Sequence, residues 1–204
     1  MNRKAEVLLK LTNGLGVGSV VVEAGALRFY KETPTDGYSS FYLAKRAKER
    51  GWLLYIVDNN QSSVATTRQV LRDAGLLQNV VVVQAEADKW LGVFADKIDC
   101  LYLDMSRDAD ARALRAAYDK LGDLVIIDDT NVSKDGEYGE GSLAIPWILA
   151  QGGWLLESYP TEMQSDGIHP MLMSSLKRTI IEKPSLLKTD EEEEVVVEED
   201  EDEE

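Results

Sequence analysis

Short apolar, β-branched runs alternate along the chain with longer stretches of helical period. The runs predict strands at 19–23, 52–58, 80–84, 98–104, 124–128 and 154–158, with a weaker seventh at 171–174. Between them, helices are expected at 39–50, 62–74, 87–94, 110–120 and 141–151, and residues 3–11 read as a short amphipathic helix. Strands apolar on both faces need cover on both faces. The pattern therefore predicts an α/β fold: a doubly wound, mostly parallel seven-stranded sheet with helices on both sides. The periodicity stops near Pro184. Residues 1–183 are expected to form one domain, and 184–204 a disordered acidic tail.

Charge sharpens that boundary. The chain carries 22 Lys and Arg against 37 Asp and Glu, a net charge of −15. From Asp190 to Glu204, 12 of 15 residues are acidic, so the rest holds 25 acids and 22 bases and is close to neutral. The bulk charge describes the tail, which suits a basic partner, weak cation chelation or solubility alike. The body has no basic stripe, which disfavours nucleic acid. No apolar run reaches the ~18–20 residues that span a bilayer, and the N-terminus lacks a signal-peptide core. Cys100, the one cysteine, excludes an internal disulfide and a cysteine zinc site, and its apolar run predicts a buried, inert thiol. His169, the one histidine, excludes His-pair metal sites. A reducing, cytoplasmic setting fits.

In a doubly wound sheet, ligands bind beyond the carboxyl ends of the strands, where strand order reverses. Five successive strand ends carry acids: Glu23, Asp58, Glu86, Asp104 and the pair Asp128–Asp129. Any one of them reads equally as a helix cap or a solvated loop residue. Together they converge on one rim. Gly14, Gly16 and Gly18 precede the first strand rather than follow it, and no GxxxxGK[ST] occurs, so neither a nicotinamide dinucleotide nor a nucleotide triphosphate fits. An acid at the first strand end suits a ligand with an ammonium or sulfonium charge and hydroxyls.

These residues resemble the class I S-adenosylmethionine-dependent methyltransferases, nearest the catechol, caffeoyl-CoA and macrolide O-methyltransferase branch. Val21 to Gly25 looks like the glycine-containing first motif, and Gly37 to Ala44 like the start of the first helix. Tyr55 to Asp58 is similar to the strand end whose acid holds the ribose hydroxyls, and Gln84 to Asp88 to the loop beside the adenine. Ile98 to Asp104 and Val125 to Asp129 resemble the fourth and fifth strand ends. The glycine motif is thin, one Gly25 between Ala24 and Ala26, and about ten extra residues, 27–36, precede Gly37.

The resemblance implies a Rossmann-like methyltransferase fold and S-adenosylmethionine as cofactor, held by Glu23, Gly25, Gly37, Ser39, Asp58, Glu86 and Asp104. It implies O-methylation of a small-molecule acceptor, with Asp104 as the base, because Arg107 cannot deprotonate at neutral pH. It further implies Mg²⁺ held by Asp104, Asp128 and Asp129, oxygen ligands of the kind a hard cation takes. The competing reading leaves Asp129 as a loop cap and no metal. Trp90 reads either as an adenine contact or as packing, the loop 134–141 as a lid, and His169 as a secondary ligand or base. A homodimer is reasonable for such relatives. The alternative function is a methyltransferase-like binding protein that has lost catalysis and engages partners through its tail.

Overall fold

The computed structural model describes residues 3–30, 38–131, 139–163 and 170–179. Gly37, His169, the acidic tail and most of the predicted lid lie outside them. Helix α1 (Arg3–Leu11) leads to β1 (Val20–Ala24), followed by α2 (Ser39–Arg50), β2 (Leu53–Asp58), α3 (Gln61–Asp73) and β3 (Val80–Gln84). The second half runs α4 (Ala87–Val93), β4 (Ile98–Leu103), α5 (Arg107–Ala117), β5 (Leu121–Ile127), α6 (Gly141–Ala150), β6 (Trp154–Met163) and β7 (Pro170–Arg178). The strands form one sheet in the order β3-β2-β1-β4-β5-β7-β6. The first five are parallel, while β7 runs antiparallel to both β5 and β6.

Side chains on a strand alternate between faces, and here each face has its own helices. Val21, Leu54, Ile56, Cys100, Tyr102, Leu124 and Ile126 pack with Leu8 and Leu11 of α1, Leu43 of α2 and Leu71 of α3. Their neighbours Val22, Val57, Leu101, Leu103, Val125 and Ile127 pack with Leu91 of α4, Leu114 of α5 and Ile148 of α6. The predicted α/β architecture is therefore observed, with seven strands. Two elements differ from expectation. The final hairpin is longer than its apolar patches, because β6 and β7 continue as a two-stranded ribbon past the sheet. β3 is an edge strand, which leaves Val81 43% exposed rather than covered on both faces. Cys100 is fully buried, and burial pushes its thiol up to about 12, in keeping with an inert side chain.

Candidate active site

Strand order reverses between β1 and β4, and the chain ends there are drawn together by backbone bonds. Gly25 N–H donates to Val57 (2.9 Å), Asp104 N–H to the Ala24 carbonyl (2.9 Å) and Asp128 N–H to Leu103 (3.0 Å). Gly25 adopts φ +107°, and a Cβ there would stand 2.2 Å from the Asp104 carbonyl oxygen. Only glycine lets β1 turn away this close to β4. Beyond the turn lies a cavity of about 530 Å³ whose walls include Gly25, Arg28, Asp58, Glu86, Asp104 and Arg112.

Each predicted side chain has a definite place. Asp58 stands on the cavity wall and accepts the Asn60 amide (2.7 Å). Asn60 caps α3, accepting the amides of Ser62 (2.8 Å) and Ser63 (3.1 Å), so the cap does not occupy Asp58. Glu86 lines the same cavity and accepts Asn59 Nδ2 (2.9 Å). Glu23 and Ser39 meet each other instead: the Ser39 hydroxyl donates to Glu23 Oε1 (2.6 Å), both are buried, and neither is on the cavity wall. Burial raises the Glu23 carboxyl to about 8, against the opposing bonds from the serines. Trp90 packs on Tyr55 and Phe94, at ring separations of 5.4 and 4.6 Å, and stays off the cavity wall. Arg107 pairs with Asp108 on the surface.

Asp104 and Asp128 do converge, but around an ammonium. Lys4 of α1 pairs directly with Asp128 Oδ2 and lies 3.8 Å from Asp104 Oδ2. The Tyr102 hydroxyl donates to the same Asp128 oxygen (2.9 Å) and approaches Asp104 (3.4 Å). Asp128 is wholly buried, and its other oxygen has no hydrogen-bond partner among the described residues. Asp129 takes a left-handed backbone, φ +42°, as the chain leaves β5. Burial and the neighbouring Asp128 charge raise the Asp104 carboxyl, while Lys4 and Arg28 oppose the shift. The expected Mg²⁺ site therefore does not fit: a lysine holds the position between two of its three proposed ligands. Among the described residues no group of three carboxylate, histidine or cysteine side chains has metal-binding geometry.

Sequence reasoning missed Lys4, Tyr102 and Arg112, and two further acids. Asp110 is raised to about 9, first by burial and then by the Glu140 charge; Glu140 is raised to about 8, by burial and then by Asp104. Lys4 had a signal: it shares the apolar stripe of α1 with Leu8 and Leu11, at spacings of four and seven.

Comparison with known proteins follows this geometry. Residues 35–130, from before α2 to just past β5, match the family described as a methyltransferase domain. Comparison with the curated proteins finds no match. Among solved structures, the O-methyltransferase TomG of Streptomyces achromogenes, in complex with S-adenosylmethionine, superposes with a TM-score of 0.66 at 16% identity, covering 86% of this chain and 79% of that one. An rRNA methylase of Streptococcus thermophilus gives 0.59 at 16% identity, covering 86% and 94%. A precorrin-6y C5,15-methyltransferase of Geobacter metallireducens gives 0.64 at 14%, covering 85% and 88%.

The chain has the class I methyltransferase fold. The stretch matched by the methyltransferase-domain family, residues 35–130, contains Asp58, Glu86, Asp104 and Asp128 but neither Glu23, Gly25 nor Lys4. Within this methyltransferase fold, the switch-point cavity lies where an open sheet binds its ligand. Among the described residues no helix is long and apolar enough to cross a membrane.

Proposed function

We propose that this methyltransferase domain uses S-adenosylmethionine to methylate an oxygen of a small-molecule acceptor, without a divalent metal. The observation that carries the reading is the cavity itself: a glycine-only approach of β1 to β4, flanked by Asp58 and Glu86 on one side and Asp104 on the other. The residues fit the group. A carboxylate at Asp58 accepts two hydrogen bonds from a vicinal diol such as a ribose, and Glu86 adds an acceptor on the adjoining wall. Arg28, exposed on the same wall, suits the amino-acid carboxylate of the ligand. A cofactor contact by Glu23 and Ser39 would run through their buried pair, which stiffens the end of β1 beside Gly25.

When bound, S-adenosylmethionine supplies a methyl group already activated by its sulfonium, so little covalent chemistry is left to the protein. The chain's work is alignment and proton removal. Asp104 is the one predicted acid that both touches the cavity and has a raised pKa. A carboxylate raised in this way is a better base for a hydroxyl than an ordinary surface aspartate. Asp104 would take the proton from the acceptor oxygen, which would receive the methyl that bound S-adenosylmethionine supplies with sulfur as the leaving group.

Calorimetric titration tests the cofactor. Wild-type protein is expected to bind S-adenosylmethionine, and Asp58→Ala to bind it far more weakly. No binding at millimolar ligand would replace this reading with the non-catalytic one, a fold retained for partner binding.

A further inference from the structure

We propose that Lys4 is a built-in replacement for a divalent cation at the ends of β4 and β5, closing that position to metal. The claim concerns the acceptor side of the site, and its link to methyl transfer rests on the function proposed above. Its geometry does not.

Two carboxylates brought to adjacent strand ends repel each other unless something positive lies between them. Parity brings them there: Tyr102 and Ile126 face the side of the sheet covered by α1, α2 and α3, and Asp104 and Asp128 lie two residues further along each strand. The same side receives α1, anchored by the buried residues Ala5, Leu8 and Leu11. Lys4 extends from that buried stripe, its side chain only 13% exposed, and its ammonium meets Asp128 and Asp104 together.

Mg²⁺ needs near-octahedral oxygen ligands at ~2.0–2.1 Å. Here Asp128 Oδ2 already holds both the Lys4 ammonium and the Tyr102 hydroxyl. One remaining oxygen of Asp128 cannot hold a dication. Admitting one would require Lys4 to leave the two carboxylates, Asp128 and Asp104, that its ammonium meets. An ammonium also differs from a metal in function. It offers hydrogen bonds and one charge but cannot chelate, so an acceptor gains nothing here from carrying two adjacent hydroxyls. The acceptor class that follows is a singly bound hydroxyl, not a catechol-like diol.

The experiment is a Mn²⁺ titration of the full-length protein, with free Mn²⁺ read by electron paramagnetic resonance. Wild type, Lys4→Ala, Asp128→Asn and the double variant are compared. Weak uptake by the acidic residues after 190 is common to all four and cancels. Wild type and Asp128→Asn are expected to coincide, whereas Lys4→Ala gains a Mn²⁺ site that the double variant loses. An Asp128-dependent site in the wild type would overturn the proposal, as would no gain in Lys4→Ala. Should Lys4→Ala fail to fold by circular dichroism, Mn²⁺ broadening of the wild-type Asp104 and Asp128 amide signals decides alone. Selective broadening refutes and its absence supports. S-adenosylmethionine titrated into the same wild-type sample separates the two ideas, since failure to bind it removes the enzymatic reading and leaves the Mn²⁺ result standing.

Discussion

Asp58 and Glu23 are both strand-end acids, yet their surroundings assign them different work. Asp58 keeps an open carboxylate on the cavity wall, since Asn60 does the capping. Removing it deletes hydrogen bonds to a charged acceptor, each ~1.5–3 kcal/mol. Asp58→Ala is therefore expected to weaken S-adenosylmethionine binding by ~10- to 100-fold, read by calorimetry, with the melting temperature of the free protein little changed. Glu23 is buried and raised from 4.5 to about 8. Its proton is held more tightly in the folded chain than in the unfolded one. That contribution is complete below pH 4.5, declines as pH rises toward 8, and is constant above. Glu23→Gln stays neutral throughout. The variant should thus gain on the wild type between pH 5 and 8, by a few kcal/mol at most, in urea unfolding at the two pH values. An unchanged difference would mean that Glu23 is ionised in the native state. The strand-end acids were legible because a charge closing an apolar run is visible without coordinates. Lys4 was not, since its partners lie about 100 residues away and only the packing of α1 brings them together.

At the level of elements, the alternation of apolar runs with helical periods was enough to place every strand and helix within a few residues. It worked because a parallel sheet buries both faces and leaves no polar alternation to confuse the reading. Where that condition lapses it erred otherwise: it placed β3 at its observed bounds but expected cover on both faces of that edge strand, and it ended β6 and β7 short of the ribbon they form past the sheet. Gly25 shows what element geometry demands of a single position. A methyl group there meets Asp104 backbone, which cannot swing aside as a side chain could, and the positive φ adds strain of its own. Gly25→Ala should destabilise the domain by ~3 kcal/mol or more and abolish cofactor binding, measured by denaturant midpoint and calorimetry. Asn60→Ala separates capping from catalysis. It should cost ~1 kcal/mol of stability and leave affinity nearly unchanged, because the 2.7 Å bond to Asp58 comes from the backbone N–H of residue 60, which alanine keeps.

For the whole molecule, the question is which ligand charge the switch-point cavity selects. Its walls carry Asp58, Glu86, Asp88 and Asp104 against Arg28 and Arg112, and Arg112 is already paired with Asp88 (3.4 Å). A polyphosphate would meet Asp58 and Glu86, which have no ion-pair partner among the described residues, with one guanidinium to receive it and no glycine-rich amide cradle. A ligand bearing a positive sulfur, a diol and one carboxylate meets complementary groups at each point. Ligand held by the native state alone raises stability by ~2.7 kcal/mol at a hundredfold excess over Kd. In a domain of this size that is a rise of ~5–10 °C in melting temperature. S-adenosylmethionine is therefore expected to shift the thermal transition by that amount, and ATP at the same concentration to leave it in place. A shift with ATP and none with S-adenosylmethionine would mean that Arg28 and Arg112 govern the cavity and that the strand-end acids do not.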